Sequence, residues 1–195
     1  MMTLSRPGDD DVRRWLGGMN TVPLSYSPVG LTKSLPDGDV PSGFVIDHNR
    51  VRLGLGLAAF ERARAAVRRW EMFHLGWVHL CWPSTPIVAN TTVAVLIRQF
   101  GVWLSNACRI VYLVEQTGDL HRFGFAYGTL PDHAESGEER FTVEWNRSDD
   151  SVWYDLLAVS RPNHLLARLG YPYARRLQRR FASDSLRAME RASGG

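Results

Sequence analysis

Between residues 91 and 159 apolar and polar side chains alternate almost without pause, and this run constrains the fold more than any other feature of the chain. Residues 91–99 put Val93, Val95 and Ile97 on one face, and residues 105–115 do the same with Cys108, Ile110, Tyr112 and Val114. Residues 120–129 set Phe123, Phe125 and Tyr127 against Arg122, Gly124, Ala126 and Gly128. Residues 138–147 set Phe141, Val143 and Trp145 against Arg140, Thr142 and Glu144, and residues 152–159 close the series. A period of two is the signature of a half-buried strand. The connections are too short to hold crossover helices, so consecutive strands must pair antiparallel. A sheet with one apolar face has to cover it, and the cover must come from helical segments elsewhere in the chain.

Two such segments stand out. Residues 58–72 carry Phe60, Ala63, Val67 and Trp70 at helical spacing. Residues 173–191 carry Ala174, Leu177, Phe181 and Ala188. Residues 48–53 alternate as one more strand, with Asn49, Val51 and Leu53 inward, and residues 75–82 read as an aromatic strand closed by Pro83. A short helix is expected over residues 164–169, ending at Gly170. Residues 1–43 form an N-terminal extension. A short helix over residues 9–19 there shows Val12, Trp15, Leu16 and Met19 on one face. A Pro/Gly-rich run follows, with Tyr26 and Leu31 as anchors onto the domain. Residues 44–192 make a single domain.

The expected class is α+β: a curved antiparallel β-sheet wrapped around a long C-terminal α-helix. This is the element order of the helix-grip fold of Bet v 1-like allergens, START domains and polyketide cyclases, an analogy of order alone.

Composition narrows the function. Net charge is +3, with arginine in place of nearly all lysine and no block of like charge. Nucleic acid is therefore not an expected partner, and Arg175, Arg176, Arg179 and Arg180 read as a solvated helix face. The two cysteines, Cys81 and Cys108, form no C-x-x-C pair and no zinc spacing. Neither a metal nor a cofactor is expected, and the location expected is cytoplasmic. No apolar run approaches the ~18 residues of a transmembrane helix. The N-terminus lacks the apolar stretch of a signal peptide.

Several strings carry a resemblance. They are GFAYGTLPDHAESGEERF at residues 124–141, SRPNHLLARLGYPYARRLQ at residues 160–178 and LSYSPVGLT at residues 24–32. With Trp70, Phe73 and Leu75-Gly76-Trp77 they resemble uncharacterised protein family 0548, over nearly the whole chain. Val88-Ala89-Asn90 departs from that pattern where a glycine is expected. The resemblance implies no activity.

Candidate chemistry is sparse. Alternation puts Glu139 on the side of Phe141, where burial would raise its pKa and fit it for acid–base work. Arg140, on the other face with Glu138 and Glu144, reads as part of an ion-pair ladder or as a carboxylate clamp. His133 sits in a loop that could gate a pocket. His79 reads as a core histidine and His164 as structural. Tyr127 and Tyr154 are candidates for holding a polar ligand group. Gly54-Leu55-Gly56 lacks the third glycine and the parallel context of a nucleotide turn.

The leading expectation is a non-catalytic binding module for a small apolar or amphipathic molecule. Its wall would be drawn from Trp77, Phe123, Phe125, Tyr127, Glu139, Arg140, Phe141, Trp145, Trp153, Tyr154 and Phe181. A cavity of ~300 Å³ or more between sheet and last helix would support it. An enzyme working in the same cavity through Glu139 or His133 is the first alternative. A solid interaction domain offering its arginine-rich helix is the second.

Overall fold

The computed structural model describes residues 2–33, 35, 39–163 and 171–194. A short strand β1 (Met2–Thr3) and helix α1 (Asp9–Met19) precede strand β2 (Val45–Leu55) and helix α2 (Gly56–Arg68). A 3-10 turn (Glu71–Phe73) leads into β3 (Val78–Leu80), β4 (Thr92–Gln99) and β5 (Val102–Gln116). Then come β6 (Leu120–Thr129), β7 (Glu135–Asn146), β8 (Ser151–Pro162) and helix α3 (Tyr171–Ser193).

The strands form one antiparallel sheet in the order β2-β8-β7-β6-β5-β4-β3, with β1 added to β5 where β6 has ended. β4 to β8 pair consecutively, as their short connections require. The concave face packs on α2, the 3-10 turn and α3 around Phe60, Trp70, Phe73, Phe125, Phe141, Tyr154 and Met189. The N-terminal residues cover the convex face. Val12 of α1 seals against Cys81, Ala94 and Leu96, and Tyr26 and Leu31 pack on Val159.

A buried carboxylate ties that covering down. Glu138 accepts hydrogen bonds from the Tyr26 hydroxyl (2.7 Å), from the backbone N–H groups of Gly30 (2.8 Å) and Thr32 (2.9 Å), and from the Thr32 hydroxyl. Gly128 makes room for the Tyr26 ring, because a Cβ there would overlap it. The expected α3 stripe faces the sheet, joined by Ala182, Ser185 and Met189. The expected helix over residues 164–169 lies outside the described residues.

Four local expectations are corrected. The helix through residue 72 stops at Arg68, because Trp70 takes a left-handed backbone (φ 57°) while its ring stays buried. The strand over residues 75–82 shrinks to Val78–Leu80, pinched by positive φ at Gly76 and Trp82. In β5 the register slips between Ile110 and Tyr112, leaving Val111 as a bulge residue. That extra residue reverses the alternation, so Tyr112 and Val114 leave the face of Cys108 and Ile110. The Tyr112 hydroxyl meets Thr32 on the convex side instead.

Arg140 also departs from its expected ladder. It donates to the Thr32 carbonyl (2.8 Å) and to Asp155 (3.3 Å), while Glu144 pairs with Arg50 and Arg122. The partners come from β2, β6, β8 and the N-terminal segment, brought alongside in space, rather than from neighbours on the same strand.

Candidate functional site

A cavity of about 230 Å³ separates the concave sheet from the N-terminal half of α3. It falls short of the ~300 Å³ expected for such a cavity. The opposite end of the fold is solid. There Phe60 packs on Trp145, Arg64 and Arg68 lie over Phe123, and the Tyr154 hydroxyl meets Ser185 (3.0 Å).

The cavity has two kinds of wall. One is apolar: Phe73 from the 3-10 turn, Trp77, Val95 and Ile97 from the sheet, Leu177 and Phe181 from α3. The other is polar and comes from β2, β7, β8 and one α3 residue: Asp47, Glu135, Glu139, Ser160 and Gln178. Pairing explains how these meet. Asp47 and Glu139 both register with Ala158 of β8, one from each side, so both side chains emerge on the concave face.

The electrostatics of the polar wall follow from burial. Glu139 accepts a hydrogen bond from the Tyr127 hydroxyl at 2.8 Å. Burial pushes its carboxyl up to about 7, against the lowering effect of that hydrogen bond. Its remaining accessible surface opens into the cavity, with protein around it on the other sides. Glu135 accepts from the Ser160 hydroxyl (2.6 Å) and from Gln178, and burial raises its pKa too. Asp47 is held by both guanidinium nitrogens of Arg175. His133 accepts the Glu135 backbone N–H on Nδ1 (3.0 Å), and burial lowers its pKa to about 4. It is therefore neutral at physiological pH, with its proton on Nε2.

Of the expected wall, Trp77, Tyr127, Glu139 and Phe181 line the cavity, together with His133. Phe125, Phe141 and Tyr154 lie on the concave face but in the solid core beside it. Phe123 and Trp145 pack at the far end against α2. Arg140 and Trp153 do not reach the cavity, because alternation sends both to the convex face. Trp153 pairs there with Arg52 and lies under Arg50.

Arg175 is not the free surface cation that the helix pattern implies, since Asp47 holds it. Arg180 covers the Trp77 ring at 4.4 Å and faces Asp184. Sequence reasoning missed Asp47, Glu135 and Gln178. For Asp47 a signal existed: it shares the parity of Asn49, Val51 and Leu53, one step before the strand was judged to begin.

A curled antiparallel sheet closed over a C-terminal helix, with a cavity between them, is the helix-grip fold. A hypothetical protein of Helicobacter pylori, jhp0584, has the same fold at 12% identity, covering 86% of this chain and 95% of that one with a TM-score of 0.51. Human STARD10 is a looser match, at 10% identity over 97% of this chain and 80% of that chain, with a TM-score of 0.47.

Within that class the chain belongs to the UPF0548 family. Residues 25–188 match the family described as a domain of unknown function, DUF1990. A UPF0548 protein of Dictyostelium discoideum is 36% identical over 208 residues, covering 100% of this chain and 96% of the relative. No helix among the described residues is long and apolar enough to cross a membrane.

Proposed function

We propose that this protein binds one small amphipathic molecule in the cavity under α3. The observation that carries the reading is the two-sided wall. Apolar side chains of the 3-10 turn, β3, β4 and α3 share one cavity with carboxyl, amide and hydroxyl groups of β2, β7, β8 and α3. Pockets of this build hold the ligand body by burial and orient it through a few polar groups. Of the four arginines at the start of α3, Arg175 and Arg180 are engaged within the molecule, while Arg176 and Arg179 stay exposed.

The test is a titration with 1-hexanol followed through the Trp77 indole N–H resonance. Saturable shifts are expected in the wild type. They should vanish in Ala158→Phe, where an aromatic ring added to a cavity-lining position fills the space without loss of fold. Absence of saturation in the wild type, or equal shifts in Ala158→Phe, would overturn the reading.

One observation favours a second reading. A carboxyl raised to about 7 beside a tyrosine hydroxyl is poised for proton transfer at neutral pH. Under that reading the molecule retained by the protein returns chemically altered after incubation, and Glu139→Gln abolishes the change. Recovery of the molecule unaltered supports binding without turnover.

A further inference from the structure

The polar wall points to the charge of the ligand. Every titratable or charged group facing Glu139 can be named. β7 presents Glu135 and β2 presents Asp47. β5, β6 and β8 present Cys108, Tyr127 and Tyr154, each with its pKa raised by burial and so uncharged. The β6–β7 loop presents His133, which is neutral. α3 presents Arg175, which Asp47 holds at both nitrogens, and Arg179, an exposed residue at the rim.

Two carboxyl groups therefore face a largely apolar cavity whose cations are committed or peripheral: Arg175 is paired with Asp47 and lowers the pKa of Glu135, and Arg179 is exposed. Their hydrogen bonds use one oxygen each, Oε2 in both cases. Oε1 of Glu139 and Oε1 of Glu135 accept nothing among the described residues. The acidic pair would be unremarkable on an open surface. Here it coincides with a partly open cavity lined mostly by apolar side chains, and a carboxylate in such surroundings is stabilised by a cation that comes to meet it.

We infer that the ligand is an amphipathic amine, its ammonium group hydrogen-bonded to Glu139 and its apolar body laid along Trp77, Ile97 and Phe181. Glu135, four residues earlier on β7, adds a second carboxyl to the same cavity. An anionic head group meets these carboxyl groups, with only the exposed Arg179 to offset them. A neutral head leaves Glu139 to resolve its burial by taking up a proton. An ammonium supplies both the charge and the donors. The inference rests on the cavity being a binding site, and the test separates the two.

Hexylamine, 1-hexanol and hexanoate share one apolar chain and differ in head charge. At pH 8 hexylamine should bind at least tenfold tighter than hexanol, and hexanoate weakest. The amine stays protonated up to pH ~10. Its affinity should therefore follow the ionisation of Glu139, rising about tenfold between pH 6 and pH 8, while hexanol stays nearly constant. Glu139→Gln keeps the acceptor for Tyr127 and removes the charge. It should erase the preference for the amine, bringing hexylamine and hexanol to equal affinity. Glu135→Gln should weaken the amine about two- to threefold, and it serves with the wild-type pH profile if Glu139→Gln does not fold. Equal affinity for amine and alcohol in the wild type, tightest binding by hexanoate, or an amine preference that survives Glu139→Gln would overturn the inference with the cavity still a binding site. Failure of all three molecules to bind would overturn the cavity reading, and this inference with it.

Discussion

Two adjacent glutamates on β7 show how much one step along a strand decides. Glu138 points to the convex face and Glu139 to the cavity. Glu138 is satisfied by Tyr26, Gly30 and Thr32, and removing it orphans several buried donors at once. Each such donor costs about 1–3 kcal/mol, so Glu138→Ala should destabilise the fold by about 3 kcal/mol or more in urea melts. Amide exchange should rise in residues 24–33 before it rises elsewhere.

Glu139 behaves in the opposite way. Its folded pKa is raised to about 7, while an unfolded glutamate titrates near ~4.3. Between those values the folded state holds a proton that the unfolded state has released, so stability falls as pH rises through the window. Glu139→Gln should match the wild type at pH ~4, below the unfolded value, and exceed it at pH 8. Urea midpoints at the two values measure this, and a wild type favoured at pH 8 would show the carboxylate to be stabilised after all.

At the scale of elements, α3 has two jobs divided along its length. Its N-terminal half roofs the cavity and its C-terminal half closes the core. Phe181 touches Phe73 but is only partly buried, because one side of its ring faces the cavity, whereas Met189 is fully buried. Phe181→Ala should therefore cost ~1–2 kcal/mol, below the ~2–5 kcal/mol expected for Met189→Ala. Arg176, exposed on the same helix, is the control and should shift stability by no more than about 0.5 kcal/mol. Arg180 cannot serve in that role, since it covers Trp77. Equal costs at 181 and 189 in urea melts would mean that the roof is as tightly packed as the core. The helix periodicity of α3 showed which residues face the sheet. It carried no sign that half of that face would meet empty space.

At the scale of the whole molecule, the sheet is covered on both sides. α2 and α3 lie in the concavity, while α1 and the segment carrying Tyr26 and Leu31 lie on the convex face. Val12 holds α1 down over Cys81, whose thiol is pushed up to about 11 by burial. Val12→Asp should undock α1 and make Cys81 react with a disulfide reagent, leaving Cys108, enclosed within the main core, inert. A wild-type rate at Cys81 in that variant would show that α1 does not guard it.

Alternation alone placed Glu139 with Phe141, and Phe123, Phe125 and Tyr127 on one face, because side chains on a regular strand have only two directions to take. Short connections likewise forced the antiparallel order of β4 to β8. The rest was decided by contacts that local pattern does not encode. A single extra residue at Val111 turned Tyr112 over, and alternation has no memory of a bulge it cannot see. Arg140 and Trp153 are the exception, since alternation by itself already turned them to the convex face, away from the pocket their chemistry suggested. Asp47 and Glu135 lie far apart in sequence and meet beside one cavity because β2 and β7 flank β8. The sheet's curvature leaves a gap under the N-terminal half of α3, while Met189 in the other half is fully buried. A strand's period determines which side a residue faces, whereas the space it faces depends on how far the opposite layer stands away.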